Sequence, residues 1–108
     1  MSVLMKSETA RLEADDNTLK VSGRVAFEAA AEMAEAGRDW LASRQQGESV
    51  RLDLSQVEEV SSAALSVMLE WLRSIGSANL SLEAVVLSPA LARLTQVAGI
   101  DTLLPSGD

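Results

Sequence analysis

Residues 50–75 read VRLDLSQVEEVSSAALSVMLEWLRSI, and the two halves of that run have different periods. In the first half Val50, Leu52 and Leu54 alternate with Arg51, Asp53 and Ser55, the two-residue repeat of a strand with one dry face and one wet face. From Ser61 to Ile75 the apolar spacing becomes helical, with Ala63, Val67, Trp71 and Ile75 recurring every fourth residue. A strand followed by a helix of this length is the start of an α/β crossover.

Outward from that unit, three more segments alternate as strands. Thr9 to Ala14 sets Leu12 and Ala14 against Arg11 and Glu13, and Val3 to Met5 is a stretch that extends or replaces it. Asp15-Asp16-Asn17 reads as a hairpin turn into Thr18 to Val25, where Leu19 and Val21 oppose Lys20 and Ser22 and Gly23 is a candidate bulge. Asn79 to Val86 sets Leu80 and Leu82 against Ser81 and Glu83. Strands buried on both faces would read as continuous apolar runs, so this alternation predicts helices on one face of the sheet and water on much of the other. Two further helices are predicted. One runs from Ala26 to Gln46, with Phe27, Ala30, Ala31, Ala34 and Leu41 as its inner stripe, Trp40 packing on it and Gly47 as its stop. The other runs from Pro89 to Ala98, with Ser88 as N-cap and Gly99 at the C-terminal cap. The order is β-β-α-β-α-β-α in a mixed sheet, and Pro105 to Asp108 is expected to fray.

Composition limits what this fold can do. The 108 residues are of single-domain size, and an apolar fraction of 47% is enough for a packed core. No apolar run reaches the ~18 residues of a membrane span, and Met1 to Ala10 lacks the apolar block of a signal peptide. With no cysteine there is no disulfide framework, and the expected location is the cytoplasm. The net charge of -7 repels nucleic-acid phosphates and anionic head groups, and favours a basic protein partner. The chain has no His, Cys or Tyr, which removes the usual general base, thiolate nucleophile and zinc ligands, and no glycine-rich phosphate loop is present. A binding protein, not an enzyme, with no cofactor and no metal, is the expectation.

The helix after Ser61 carries more apolar surface than a sheet can bury. On a helical wheel Ser62, Ser66, Glu70, Arg73 and Ser77 fall within about 80°, and the apolar arc covers about 240°. A surface helix needs an apolar stripe of only roughly 100–150°. Either neighbouring helices cover both flanks, or one flank, Leu65/Leu69 or Val67/Trp71, belongs to a docking surface around Ser62 and Ser66. Trp71 is the candidate hot spot if its flank is the open one.

Leu52-Asp53-Leu54-Ser55, Val57, Val60 and Ser61-Ser62-Ala63-Ala64-Leu65 together resemble the STAS domain family (sulphate transporter and anti-sigma factor antagonist). So do Leu19 to Val25, and Ser88 to Leu91 followed by Val97 to Ile100 and Leu103-Leu104. The resemblance covers nearly all of residues 1–108 and implies a STAS-type mixed β-sheet with about three α-helices packed on one face. Within the family, Ser62 to Leu65, Leu69 to Arg73 and Gly99 to Pro105 resemble the B subunit of the Mla lipid-asymmetry transporter. That likeness implies a cytoplasmic accessory subunit, peripheral to the inner membrane, that binds the ATPase subunit of an ABC transporter for intermembrane phospholipid transport. It would itself bind neither ATP nor lipid. The expected partner-binding residues are Ser61, Ser62, Leu65, Ser66, Leu69 and Arg73.

Two departures bear on the alternative, an anti-sigma factor antagonist regulated by phosphorylation. Ser61 stands where the family has Asp before its key Ser, and Ala64 where it has Gly; Ser62 is the candidate phosphorylation site. A phosphate there would suit a helix N-terminus and would block apolar docking at the same place. The paired carboxylates Asp15-Asp16 and Glu58-Glu59 have no converging third group and read as solvated loop charges. Glu28, Glu32, Glu35 and Asp39 form an acidic face of the first helix, either solvated or in contact with a basic partner. Asp53 and Ser55 are expected to orient the loop that follows them.

Overall fold

The alternating run at residue 50 forms the centre of the sheet. In a computed structural model, which describes residues 2–58, 62–100 and 104–105, β4 (Ser49–Val57) buries Val50, Leu52, Leu54 and Val57. Its polar side chains, Arg51, Asp53 and Ser55, stand on the opposite, wetter face. The other strands are β1 (Ser2–Lys6), β2 (Ala10–Asp15), β3 (Thr18–Gly23) and β5 (Ser81–Leu87). Their spatial order follows the chain, β1-β2-β3-β4-β5. The first three pair antiparallel, and β3, β4 and β5 pair parallel. The helices are α1 (Phe27–Ala42), α2 (Ser62–Ser77) and α3 (Pro89–Val97). The expectation of a mixed α/β sheet with three helices holds.

The sequence reading differs from this in several details. Val3 to Met5 is neither an extension of the next strand nor a replacement for it: β1 is a separate edge strand, antiparallel to β2. The turn at Asp16 and Asn17 is as expected, with Asp16 in the left-handed region at φ 56° between paired Asp15 and Thr18. Gly23 is not a bulge residue. The β3–β4 register shifts between Lys20 and Ser22, whereas Gly23 has φ 88° and lies so close to the Thr9 carbonyl that a Cβ would collide with it. The first helix stops at Ala42, short of Gln46. The Ser43 hydroxyl donates to the Trp40 carbonyl at 2.6 Å, and such local bonding competes with continuation of the helix.

The other two helix ends obey local rules. Asn79, at φ 57°, closes α2 with the Leu80 N–H on the Ile75 carbonyl and the Asn79 N–H on the Gly76 carbonyl. Gly99 closes α3 in the same way, through Ile100 to Thr95 and Gly99 to Gln96. At the start of α3 the Ser88 hydroxyl accepts from the Leu91 N–H at 3.3 Å, and Pro89 occupies the first turn. Pro105 is tied down, not frayed: its carbonyl accepts the Val85 N–H at 2.8 Å on the outer side of β5. Residues 106–108 of the expected tail lie outside the described residues.

The parallel crossovers β3-α1-β4 and β4-α2-β5 move in one direction across the sheet, so right-handed connections put α1 and α2 on the same face. The two helices join through Trp71. Its indole is fully buried, lies against Gly37 of α1 and donates its Nε1–H to the Ala34 carbonyl at 3.1 Å. Burial of a side chain this large contributes on the order of 3 kcal/mol. The buried residues of α1 are Met33, Gly37 and Leu41. The predicted inner stripe is therefore wrong at two positions, because Phe27 is 84% exposed and Ala31 is exposed. Trp40 does pack, half-buried, with the Arg44 guanidinium 4.6 Å from its ring centre.

Two glycines should respond with opposite signs. A Cβ at Gly37 would overlap the buried Trp71 ring, and overpacking of that kind costs about 1–3 kcal/mol, more than the ~1 kcal/mol a helix gains from Gly→Ala. A Cβ at Gly76 meets open space. Urea unfolding of Gly37→Ala should show a loss of stability, and Gly76→Ala a gain of about 0.5 kcal/mol. A gain with Gly37→Ala would contradict the packing of Trp71 in this notch.

Candidate functional site on helix α2

The helix that carries too much apolar surface resolves into one sealed flank and one open flank. Val67 and Trp71 are buried at 3% and 0% exposure, both packed into the core, and Trp71 lies beneath α1. Trp71 is therefore a core residue, and the condition under which it was a candidate hot spot, an open flank, is not met. Leu65 and Leu69, on the other flank, are half-buried: they pack on the core and keep part of their surface open. Between the flanks Ser62, Ser66 and Arg73 are exposed. Five of the six expected site residues thus share one outer strip of α2, and Ser61 lies outside the described residues.

Ser62 opens the helix. Its hydroxyl stands in the first turn, where backbone N–H groups lack intrahelical acceptors and the helix dipole is positive. No acidic residue occupies that turn, so this partial charge is not offset by a carboxylate within the helix. An anionic group on Ser62 would be stabilised there. Ala64, where the family has Gly, is 1% exposed and packed inward.

Further along the helix, Glu70 ties the polar strip to α1. Its carboxylate accepts from Arg73 at 2.7 Å and from Arg38 of α1 at 3.0 Å. The Arg73 hydrogen bond and charge, with the Arg38 hydrogen bond and charge behind them, hold the Glu70 carboxyl below its usual range against an opposing push from desolvation. These side chains, with Ser74 and Ser77, line an open groove of about 530 Å³ between the two helices. Arg73 therefore has an intramolecular role besides any partner contact, and this link was missed from sequence because it depends on how α1 sits beside α2.

The other candidates lie outside α2. Asp15, Asp16 and Glu58 are exposed, and Glu59 lies outside the described residues. Glu28, Glu32, Glu35 and Asp39 are all exposed, as a solvated or partner-facing surface of α1 would be. Asp53 and Ser55 bond to each other within β4, with Asp53 Oδ1 accepting both the Ser55 N–H at 3.0 Å and its hydroxyl at 2.6 Å. These bonds lie on the polar face of the strand; residues 59–61 of the loop that the pair was expected to orient lie outside the described residues. Among the described residues no group of three or more acidic side chains could hold a metal ion, and no helix is long and apolar enough to cross a membrane.

A mixed sheet with helices that start at the ends of its parallel strands, and a serine-rich strip on the second helix, define a class of small α/β domain built around an exposed helix face. The chain belongs to the STAS domain family: the family model described as "Mlab, STAS domain" matches residues 8–105. Among solved structures it is similar to an anti-sigma factor antagonist from Mycobacterium paratuberculosis, with 25% identity and a TM-score of 0.69 over 91% of this chain and 83% of that one. Comparison with curated proteins gives no match.

The Glu70 bridge predicts a pH response. A carboxyl held below its unfolded value stabilises the fold above that value and loses the contribution as pH falls through the folded value. Wild type should therefore exceed Glu70→Gln in stability at neutral pH, and the difference should vanish below the ordinary carboxylate range. Urea titrations of both proteins from neutral pH to pH ~3 read this directly, and a constant difference would contradict the bridge.

Proposed function

We propose that this chain is a non-catalytic docking domain of the anti-sigma factor antagonist type, with its partner bound on the outer strip of α2 and the contact switched by phosphorylation of Ser62. The observation that carries this reading is the asymmetry of α2: its Val67/Trp71 flank is buried, while Ser62 and Ser66 are exposed beside half-open Leu65 and Leu69. A partner gains apolar contact from the two leucines and hydrogen bonds from the hydroxyls, the core-and-rim pattern of a protein interface. A phosphate on Ser62 would be favoured by the helix N-terminus and would add about two negative charges beside the leucines, opposing apolar contact. The likeness to an anti-sigma factor antagonist supports this choice of partner class.

A second reading rests on a different observation. The family description names Mlab, and Ser61 replaces the acidic residue that precedes the key serine in phosphorylated members, which weakens the kinase-recognition motif. On this reading the same strip binds the ATPase subunit of an inner-membrane ABC transporter for phospholipids. The domain would then be a cytoplasmic accessory subunit, held at the membrane through the complex and assisting maintenance of outer-membrane lipid asymmetry.

One experiment separates the two. Tagged protein is recovered from native cells in mild detergent and its partners and phosphopeptides are identified by mass spectrometry. A kinase of the anti-sigma type together with phospho-Ser62 supports the first reading; an ABC ATPase with its permease supports the second. In either case Ser62→Arg and Leu69→Asp should reduce partner recovery at least about tenfold, as hot-spot substitutions do, with an unchanged circular dichroism spectrum. Normal recovery with both variants overturns the docking strip.

A further inference from the structure

The sequence made Trp71 a candidate anchor only if its flank of α2 were the open one; the structure buries Trp71 and leaves a different aromatic exposed. Phe27, in the first turn of α1, is 84% exposed. Large exposed aromatics are uncommon on a domain whose other aromatics pack inward, as Trp71 and Trp40 do here.

Helix geometry puts Phe27 level with Ser62, on the side of α1 that faces α2. Because β3, β4 and β5 are parallel, α1 and α2 both return against them and run in the same sense. Two contacts fix their relative level, Arg38 with Glu70 and the Ala34 carbonyl with Trp71. Eight residues back from the first pair are Ala30 and Ser62; seven back from the second are Phe27, where α1 begins, and Ala64. Both counts put the first turn of α1, with Phe27, level with the first turn of α2, with Ser62. It is also on the correct side. At 100° per residue Phe27, Ala34 and Arg38 fall within about 40° of one another, and the latter two are the α1 residues bonded to α2.

The charge around Phe27 indicates what would cover it. Glu28 and Glu32 follow it on α1 and, with Glu8, line an open groove of about 430 Å³ that Arg24 also lines. Glu58 is exposed at the same end, where its N–H donates to the Gly23 carbonyl at 2.9 Å. A second copy would set these carboxylates against their own like, and the net charge of -7 adds to that repulsion. An anionic lipid surface is disfavoured for the same reason.

We propose that Phe27 is the apolar anchor of the docking surface, and that the surface receives a cationic amphipathic segment of the partner, its apolar side chains on Phe27 and the α2 strip and its Lys or Arg residues on Glu28, Glu32 and Glu8. This rests on the docking reading above and extends it from one helix to two. An exposed aromatic level with the hydroxyls of α2, with carboxylates on its side away from α2, is the complement of such a segment.

The test uses the full chain and a synthetic Leu/Lys amphipathic peptide of about 18 residues, followed by amide chemical shifts and calorimetry. Shifts should centre on Phe27, Glu28, Glu32, Ser62 and Ser66. Phe27→Ser should weaken binding at least about tenfold without lowering Tm, whereas Val97→Ser, which removes another exposed apolar side chain on α3, should leave it unchanged. The proposal is overturned if Phe27→Ser binds as tightly as wild type, if Val97→Ser is equally damaging, or if a Leu/Glu peptide of the same pattern binds equally well. Phe27-dependent dimerisation in sedimentation, or Phe27-dependent binding to phosphatidylglycerol vesicles, would assign the surface to a second copy or to lipid and also overturn it. No native partner is needed, so failure here is distinct from failure of the Ser62 variants in cells.

Discussion

The seating of Trp71 on Gly37 is the contact on which the rest of the helical layer depends. A glycine at this position lets α1 approach closely enough for the indole to be fully enclosed, and its buried Nε1–H is satisfied by the Ala34 carbonyl. Once the indole is seated, the relative level and rotation of the two helices are fixed. Arg38 then falls opposite Glu70, and the Val67/Trp71 flank of α2 is buried. The opposite flank stays half-open because the core beneath Leu65 and Leu69 covers only part of them. A packing event in the interior thereby decides which surface of α2 faces outward.

The same geometry concentrates chemistry at one end of the sheet. Parallel strands followed by returning helices put helix N-termini beside the strand C-terminal ends, a common location for function in open α/β sheets. Here that end carries neither a phosphate loop nor a metal cluster among the described residues. It carries an exposed serine in a helix first turn, an exposed phenylalanine and several carboxylates. Such groups are suited to binding. A serine in this position can be modified, and the contact it lies in can be strengthened or weakened by one charge.

The polar face of the sheet contributes in a different way. Asp53 accepts both the Ser55 amide and its hydroxyl within the strand. Arg51 reaches Glu83 of the neighbouring strand at 3.3 Å. These contacts complement the wet face of the sheet, and exposed pairs of this kind contribute little to stability on their own. Their presence in the family-like stretch does not make them part of the candidate site.

Local rules made most of the fold readable from sequence. Alternation in Val50 to Ser55 and Leu19 to Ser22 gave half-buried strands, because a strand presents successive side chains to opposite faces. Ser88, Pro89 and Gly99 gave the ends of α3, because caps depend on backbone groups a few residues away. The oversized apolar arc of α2 was visible too, and with it the strip from Ser62 to Arg73. The choice between its flanks was not, because it depends on residues far apart in the chain: Gly37 must meet Trp71 across two helices. The inner stripe of α1 had a sequence signal, the Met33-Gly37-Leu41 spacing, which the more numerous alanines obscured. Sequence alone determined the elements and the outward strip of α2, since these follow from local periodicity. Tertiary structure decided that Trp71 turns inward and Phe27 outward, since burial is a property of what another helix covers.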